Sequence, residues 1–277
     1  MSNRGGAEGV AAMRVLTWQE FTKRSSSARL AATIGVFDGV HLGHQALIET
    51  VKRETPLFPC VITFQENPKK VLHPFSYRGS LLTIEQKLSA IQSLGIEYCV
   101  LIDFSDNFAT LAGREFLATL YNANVRFVAV GENFQFGHRL DTDAARLEVL
   151  SNELGMHSCI VKNVMYRGHP VSSSRVRHAV LEGRFREASE MLGRPYQIIA
   201  RREGRDGYGE LFVPEDDLLL PADGKYEVFV KDGDSVEEIE VHVSQRHIVV
   251  GLRMRSERIR LAFVDKATQE KENLVWL

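Results

Sequence analysis

The sequence predicts an α/β protein with a parallel sheet, followed by a small antiparallel β domain. Three observations carry that expectation. Short apolar runs alternate with amphipathic stretches from Leu30 onward, several of those stretches stop at a glycine, and the texture turns β-rich after Pro195. A chain of 277 residues is long for one domain and short for three, so two domains are expected.

Strands of the first domain are read at Leu30–Phe37, Pro59–Phe64, Tyr98–Phe104, Val125–Val130 and His157–Val164. Between them lie helices. In Leu42–Glu54, residues Leu42, Ala46, Leu47 and Val51 share one face. Thr83–Leu94 opens with Thr83 and Gln86 at capping-box spacing and stops at Gly95. Gly113–Asn122 and Asp143–Leu154 complete the series, the latter followed by Gly155. Strands alternating with helices give a parallel sheet covered on both faces, whose ligands bind beyond the carboxyl ends of the strands. Two short helices follow, Ser174–Glu182 and Phe185–Leu192.

After Pro195 the expected strands are Tyr196–Arg201, Tyr226–Lys231, Ile239–Val243, Ile248–Leu252 and Ile259–Val264. Asp223-Gly224 and Asp232-Gly233 are turn signals among them. The expected division is a disordered extension over 1–12, a first domain over 13–195 and a second over 196–277.

Composition narrows the function classes. Hydrophobic residues at 44% and charged residues at 25% are ordinary for a globular protein. A net charge of −2 supplies no global basic field, so nucleic acid is not expected as a partner and any phosphate affinity must be local. No apolar run is long enough to span a membrane, and the Gly/Ala-rich start lacks a signal-peptide core. Cys60, Cys99 and Cys159 sit in apolar runs without a CxxC pair, and read as reduced core residues of a cytoplasmic protein. A monomer is expected.

Three motifs carry chemistry. The first follows the Leu30 strand: Gly35-Val36-Phe37-Asp38-Gly39-Val40-His41-Leu42-Gly43-His44, running into a helix. Its glycines allow a tight turn, and the helix N-terminus brings unsatisfied N–H groups and a positive dipole end, a combination that suits a triphosphate. A zinc pair, or two histidines capping a helix, is the alternative; zinc would want further ligands nearby, and Asp38 alone offers itself. The second is Val171-Ser172-Ser173-Ser174-Arg175-Val176-Arg177 at the start of a helix, either an anion site backed by two arginines or a plain serine N-cap. The third is Gly131-Glu132-Asn133-Phe134-Gln135-Phe136-Gly137. It could stack on and hydrogen-bond a planar heterocycle, or simply tuck its aromatics into the core.

Taken together and in order, these motifs resemble the N-terminal adenylyltransferase module of the bacterial riboflavin kinase/FAD synthetase family, within the HxGH nucleotidyltransferase superfamily. The likeness runs from about Ala32 to Tyr196 and includes Thr63-Phe64-Gln65-Glu66-Asn67-Pro68 and Gly193-Arg194-Pro195-Tyr196. It implies a Rossmann-like nucleotidyltransferase domain that transfers AMP from ATP to FMN, giving FAD and pyrophosphate. His41 and His44 would bind the ATP phosphates and stabilise the transition state. Ser173, Ser174 and Arg177 would grip the β- and γ-phosphates. Gly35, Phe37 and Asp38 would line the nucleotide pocket. Asn133 and Phe136 would contact FMN, with Phe64 and Asn67 nearby; Asn67 stands where the family usually has histidine. Mg²⁺ would arrive bridging ATP phosphates, with no metal site built by the protein itself.

The C-terminal domain departs from the family. Full-length members carry a riboflavin kinase domain marked by a GRxLGFPTAN-like segment and a later catalytic glutamate. The corresponding stretch here, Arg201 to Pro214, contains no PTAN segment, while Leu220-Pro221-Ala222-Asp223-Gly224-Lys225-Tyr226-Glu227-Val228 still resembles a family strand. The resemblance implies a truncated kinase barrel without kinase activity, kept as a structural lid or docking partner. Two other functions stand beside FMN adenylyl transfer: a nucleotidyltransferase acting on another phosphorylated acceptor, and a non-catalytic flavin or nucleotide sensor. The Gly131–Gly137 loop and the C-terminal remnant speak against the first, and the intact histidine and serine motifs against the second.

Overall fold

The computed structural model describes residues 12–104, 108, 110–264 and 275–277. The expected extension lies outside these residues apart from Ala12. In chain order the elements begin β1 (Arg14–Thr17), α1 (Trp18–Lys23), β2 (Leu30–Ile34), α2 (Leu42–Lys52), β3 (Phe58–Phe64), α3 (Pro68–Leu72), α4 (Ile84–Ser93), β4 (Tyr98–Ile102) and α5 (Gly113–Asn122). They continue with β5 (Val125–Gly131), β6 (Gln135–Phe136), β7 (Thr142–Asp143), α6 (Ala144–Glu153), β8 (His157–Val161), β9 (Met165–Tyr166), β10 (His169–Pro170), α7 (Ser173–Leu181) and α8 (Phe185–Leu192). The last are β11 (Tyr196–Arg205), β12 (Glu210–Pro214), β13 (Gly224–Asp232), β14 (Ser235–Ser244), β15 (His247–Val250) and β16 (Arg258–Phe263).

These elements form two units. The first comprises Met1–Val36, Gln45–Glu66 and Leu88–Lys162. It is a six-stranded parallel sheet in the order β1-β4-β3-β2-β5-β8. Every residue of β2 is buried, as a strand covered on both faces requires. Strand order reverses between β2 and β5, so the carboxyl end of β2 is a topological switch point, and the chain leaves it toward Gly35 and the histidine motif. The sheet has one strand more than the sequence suggests. β1 is four residues long and mostly exposed, so no apolar run announces it. Cys60 and Cys99 are buried free thiols, and Cys159, expected in the core, is half-buried.

The second unit comprises Phe37–His44, Asn67–Lys87 and Asn163–Leu277. Its β11 to β16 close into an antiparallel barrel in the order β11-β12-β15-β14-β13-β16, with β16 pairing back onto β11. Inward residues such as Val228, Val230, Val241 and Leu261 share one apolar core with Val176, Val180, Phe185 and Leu192 from α7 and α8. The segment before α4 is tied to the β12–β13 connection: Ser80 N–H donates to Asp217 O (2.8 Å) and Leu219 N–H to Ser80 O (2.9 Å). Gly79 lies at φ 111°, and a Cβ there would stand 2.5 Å from the Asp217 carbonyl, so only glycine fits this crossing. Among the described residues no helix is long and apolar enough to cross a membrane.

Candidate active site

The residues from Phe37 to His44 form a turn and the start of α2. Phe37 (φ 52°), Gly39 (φ 87°) and Val40 (φ 42°) all adopt left-handed backbone, which non-glycine residues accept only under constraint. His41 closes the turn as a side-chain cap. Its Nδ1 accepts the His44 N–H at 3.3 Å, taking the place that a serine or aspartate usually fills. Of the readings offered by the sequence, helix capping is met by His41 alone, with His44 supplying the capped N–H. The rings stack with centroids 3.7 Å apart and planes at 14°. Glycine at 43 follows directly, because a Cβ there would lie 3.1 Å from the His41 ring.

Burial and nearby charges decide the charge of the pair. His41 is pushed down to about 4, chiefly by burial and also by the nearby Arg194 charge. His44 is lowered well below the ordinary histidine value by burial, then by His41, Lys87 and Arg194. Both rings are therefore neutral near pH 7. With Nδ1 of His41 accepting a bond, its proton is assigned to Nε2, which leaves one ring N–H available as a donor. Nδ1 of His44 is buried and has no hydrogen-bond partner.

Asp38 organises the polar groups around this turn. Its carboxylate accepts from Leu81 N–H (2.8 Å), from Arg177 Nη2 (2.5 Å) and from Asn67 Nδ2 (3.4 Å). Ser173 Oγ donates to the Asp38 carbonyl at 2.8 Å. Burial pushes the Asp38 carboxyl up, while Arg177, the Leu81 N–H and Lys87 work in the opposite direction. Arg177 also donates to Gly79 O from Nε and Nη2, so much of its fork is committed to the protein. The turn, the 67–87 segment and α7 are thus bonded through one carboxylate.

Each residue singled out in the sequence has a definite place. His41, His44, Phe37, Asp38, Asn67, Ser173 and Arg177 come together in the second unit. Phe37 is fully buried, with its ring 4.9 Å from that of His44. Asn67 caps α3 through Lys69 N–H besides reaching Asp38. Ser172 is the N-cap of α7, accepting from Arg175 N–H, and Ser174 is exposed in the first turn, where helical N–H groups lack intrahelical partners. Arg175, read from the sequence as a second arginine behind the serines, is instead spent on the carbonyls of Tyr166, His169 and Pro170.

Gly35, Phe64, Asn133 and Phe136 belong to the first unit. The Gly35 N–H is bonded to Ile62 O. Phe64 packs edge-on against Phe104 and Phe108, and Phe136 contacts Phe116 and Phe134 at 5.5 and 5.1 Å. Phe108 joins the two sets through Phe116, making a continuous aromatic group with Trp18. Phe134 and Phe136 are half-buried against the sheet core while Asn133 is exposed.

Two residues escaped the sequence reading. Lys87 is buried on α4 and its charge bears on both Asp38 and His44. The signal was present, since Gln86 and Lys87 interrupt the apolar stripe that Ala90 and Ile91 continue. Arg194 donates from Nη2 to Gly39 O (2.6 Å) and from Nη1 to Val40 O (3.4 Å). Among the described residues no group of three or more His, Cys, Asp or Glu side chains is arranged to hold a metal.

The chain has relatives among known proteins. A family model described as FAD synthetase matches residues 23–175. A FAD synthetase of Listeria monocytogenes is 30% identical over 200 residues, covering 70% of this chain and 79% of its own length. A bifunctional riboflavin kinase/FMN adenylyltransferase of Escherichia coli is 28% identical over 239 residues, covering 81% and 76%. The corresponding Buchnera aphidicola enzyme is 28% identical over 177 residues, and there the match spans only 57% of the relative's length. The crystal structure of a macrolide-efflux protein from Streptococcus pneumoniae has the same fold, with a TM-score of 0.79 at 24% identity and coverage of 94% of this chain and 93% of that one. The family model alone takes in more than half of the residues, and the chain belongs to the FAD synthetase family.

Proposed function

We propose that the chain transfers AMP from ATP to FMN, forming FAD and pyrophosphate, and that it does not phosphorylate riboflavin. The observation that carries this reading is the joining of two helix N-termini, those of α2 and α7, to one turn through Asp38, with two neutral histidines on it. An FMN phosphate oxygen attacks the α-phosphorus of ATP, a new P–O bond forms, and the bond to the β-phosphate breaks as pyrophosphate takes the electron pair. No protein nucleophile takes part, so catalysis consists of alignment and of stabilising charge on the α-phosphate oxygens.

Within that scheme His41 donates from Nε2, and His44 lies beside it as the second phosphate ligand. Ser173, Ser174 and the α7 N-terminus receive the leaving phosphates. Arg177 acts there with the part of its fork not held by Asp38 and Gly79. Phe37 and Gly35 shape the nucleotide side, while Phe136, Asn133 and Phe64 serve the flavin, whose flat ring suits an aromatic surface. Mg²⁺ would be held by the ATP phosphates and would offset their charge, since the Asp38 carboxylate is already bonded on both oxygens. The second domain supports the adenylyl-transfer site and has no kinase chemistry, since β11 passes straight to β12 without the PTAN segment.

The test is pyrophosphate release in the presence of Mg²⁺ and ATP. The reading predicts release that requires FMN and yields FAD in equal amount. Release with a different phosphorylated acceptor and none with FMN would overturn it.

A further inference from the structure

The turn that carries the histidines is held in a costly conformation. Phe37 and Val40 sit at positive φ, which non-glycine residues hold only when the surroundings enforce it. Asp38 and Ser173 secure one side of the turn. On the other side the Gly39 and Val40 carbonyls receive the two Nη atoms of Arg194, which also bonds its own Leu192 carbonyl at 3.2 Å.

Arg194 is itself tightly placed. It follows Gly193, the left-handed cap of α8 (φ 73°), and precedes Pro195, which restricts the backbone of the residue before it. The guanidinium therefore projects from the junction of α8 with β11. A planar fork meets two neighbouring carbonyls in a way a lysine ammonium does not.

We propose that Arg194 is a positioning residue for the histidine pair, holding the Phe37–His41 turn through the Gly39 and Val40 carbonyls. Its charge has a second effect at the same place. The charged groups that act on the rings are Lys87 on α4, which bears on His44, and Arg194 after α8, which bears on both. Burial, then His41, Lys87 and Arg194, keep His44 from protonating, and Arg194 adds to burial in keeping His41 neutral. The activity arm of the test rests on the function proposed above, whereas the titration arm does not.

Arg194→Lys and Arg194→Gln separate holding from charge. The lysine variant keeps the charge and loses the fork: kcat should fall about tenfold, KM for FMN should stay put, and His41 should remain neutral in histidine NMR. The glutamine variant removes the charge, so the His41 midpoint should rise and an acid-side loss should enter the kcat profile. Unchanged kcat and unchanged His41 titration in both variants would overturn the proposal. In the parent protein the Arg194 Nη protons should be protected from solvent exchange, a reading that needs no variant to fold; fast exchange would also overturn it. A parent that makes no FAD would refute the function and leave the titration to decide the role of Arg194.

Discussion

Around β5 and α5, in the unit built on the parallel sheet, the distinctive side chains are aromatic rings in stacked and edge contacts. Around residues 37–44, in the unit that contains the barrel, they are two imidazoles, a carboxylate, two guanidiniums and an ammonium. The first set is fixed by packing, which tolerates swaps that conserve volume. The second is fixed by hydrogen bonds to backbone carbonyls and to one buried carboxylate, where removing a single partner strands the others. The barrel thus shares a unit with the groups proposed as phosphate ligands.

Substitutions on the two sides should therefore differ in kind. The largest effect is expected at Asp38→Ala, which leaves the half-buried Arg177 without its anion and frees the Leu81 N–H. It should lower unfolding free energy by about 3–5 kcal/mol, as read from urea denaturation. An effect below about 1 kcal/mol would mean that the carboxylate is no hub. Next comes His44→Ala, expected to cut kcat by about 10²–10³ while flavin binding by fluorescence titration stays within twofold. Near-normal turnover would remove His44 from the mechanism.

On the aromatic side, Phe136→Ala should weaken FMN binding by about 0.5–1.5 kcal/mol and leave KM for ATP alone. A selective loss of ATP affinity would reverse the assignment of the two units.

How far the sequence could be read follows the same division. The alternation of strands and helices, the capping box at Thr83 and Gln86, and the β-rich C-terminal part are local patterns, and the structure has all of them. β1 was hidden because its four residues are mostly exposed and its place comes from pairing with β4 across more than eighty residues. The histidine and serine motifs were legible as short strings, but their connection through Asp38 was not, because it joins positions 38, 81 and 177. Arg175 and Arg177 look alike on paper; only the fold sends one to the β9–β10 hairpin and the other to Asp38. Arg194 stands in the sequence only as part of the Gly193-Arg194-Pro195-Tyr196 stretch, and its bonds to the Gly39 and Val40 carbonyls span more than 150 residues.

The smallest effect is one of pH. His41 has a folded value near 4, below the ordinary 6.5, so the unfolded chain binds more protons between those two values. Stability should rise with pH across that window and be lost as pH falls from about 6.5 to about 4. His44, shifted in the same direction, adds to the slope. Replacing both histidines with glutamine should flatten the stability profile measured by thermal unfolding there; an unchanged profile would assign the acid sensitivity to other groups.

The most direct measurement is chromatography of the products formed from Mg²⁺ and ATP with either FMN or riboflavin. FAD from FMN, and no FMN from riboflavin, is the predicted result. Failure to form FAD from FMN would contradict the account at its centre, and FMN appearing from riboflavin would show that the barrel has kept a kinase site.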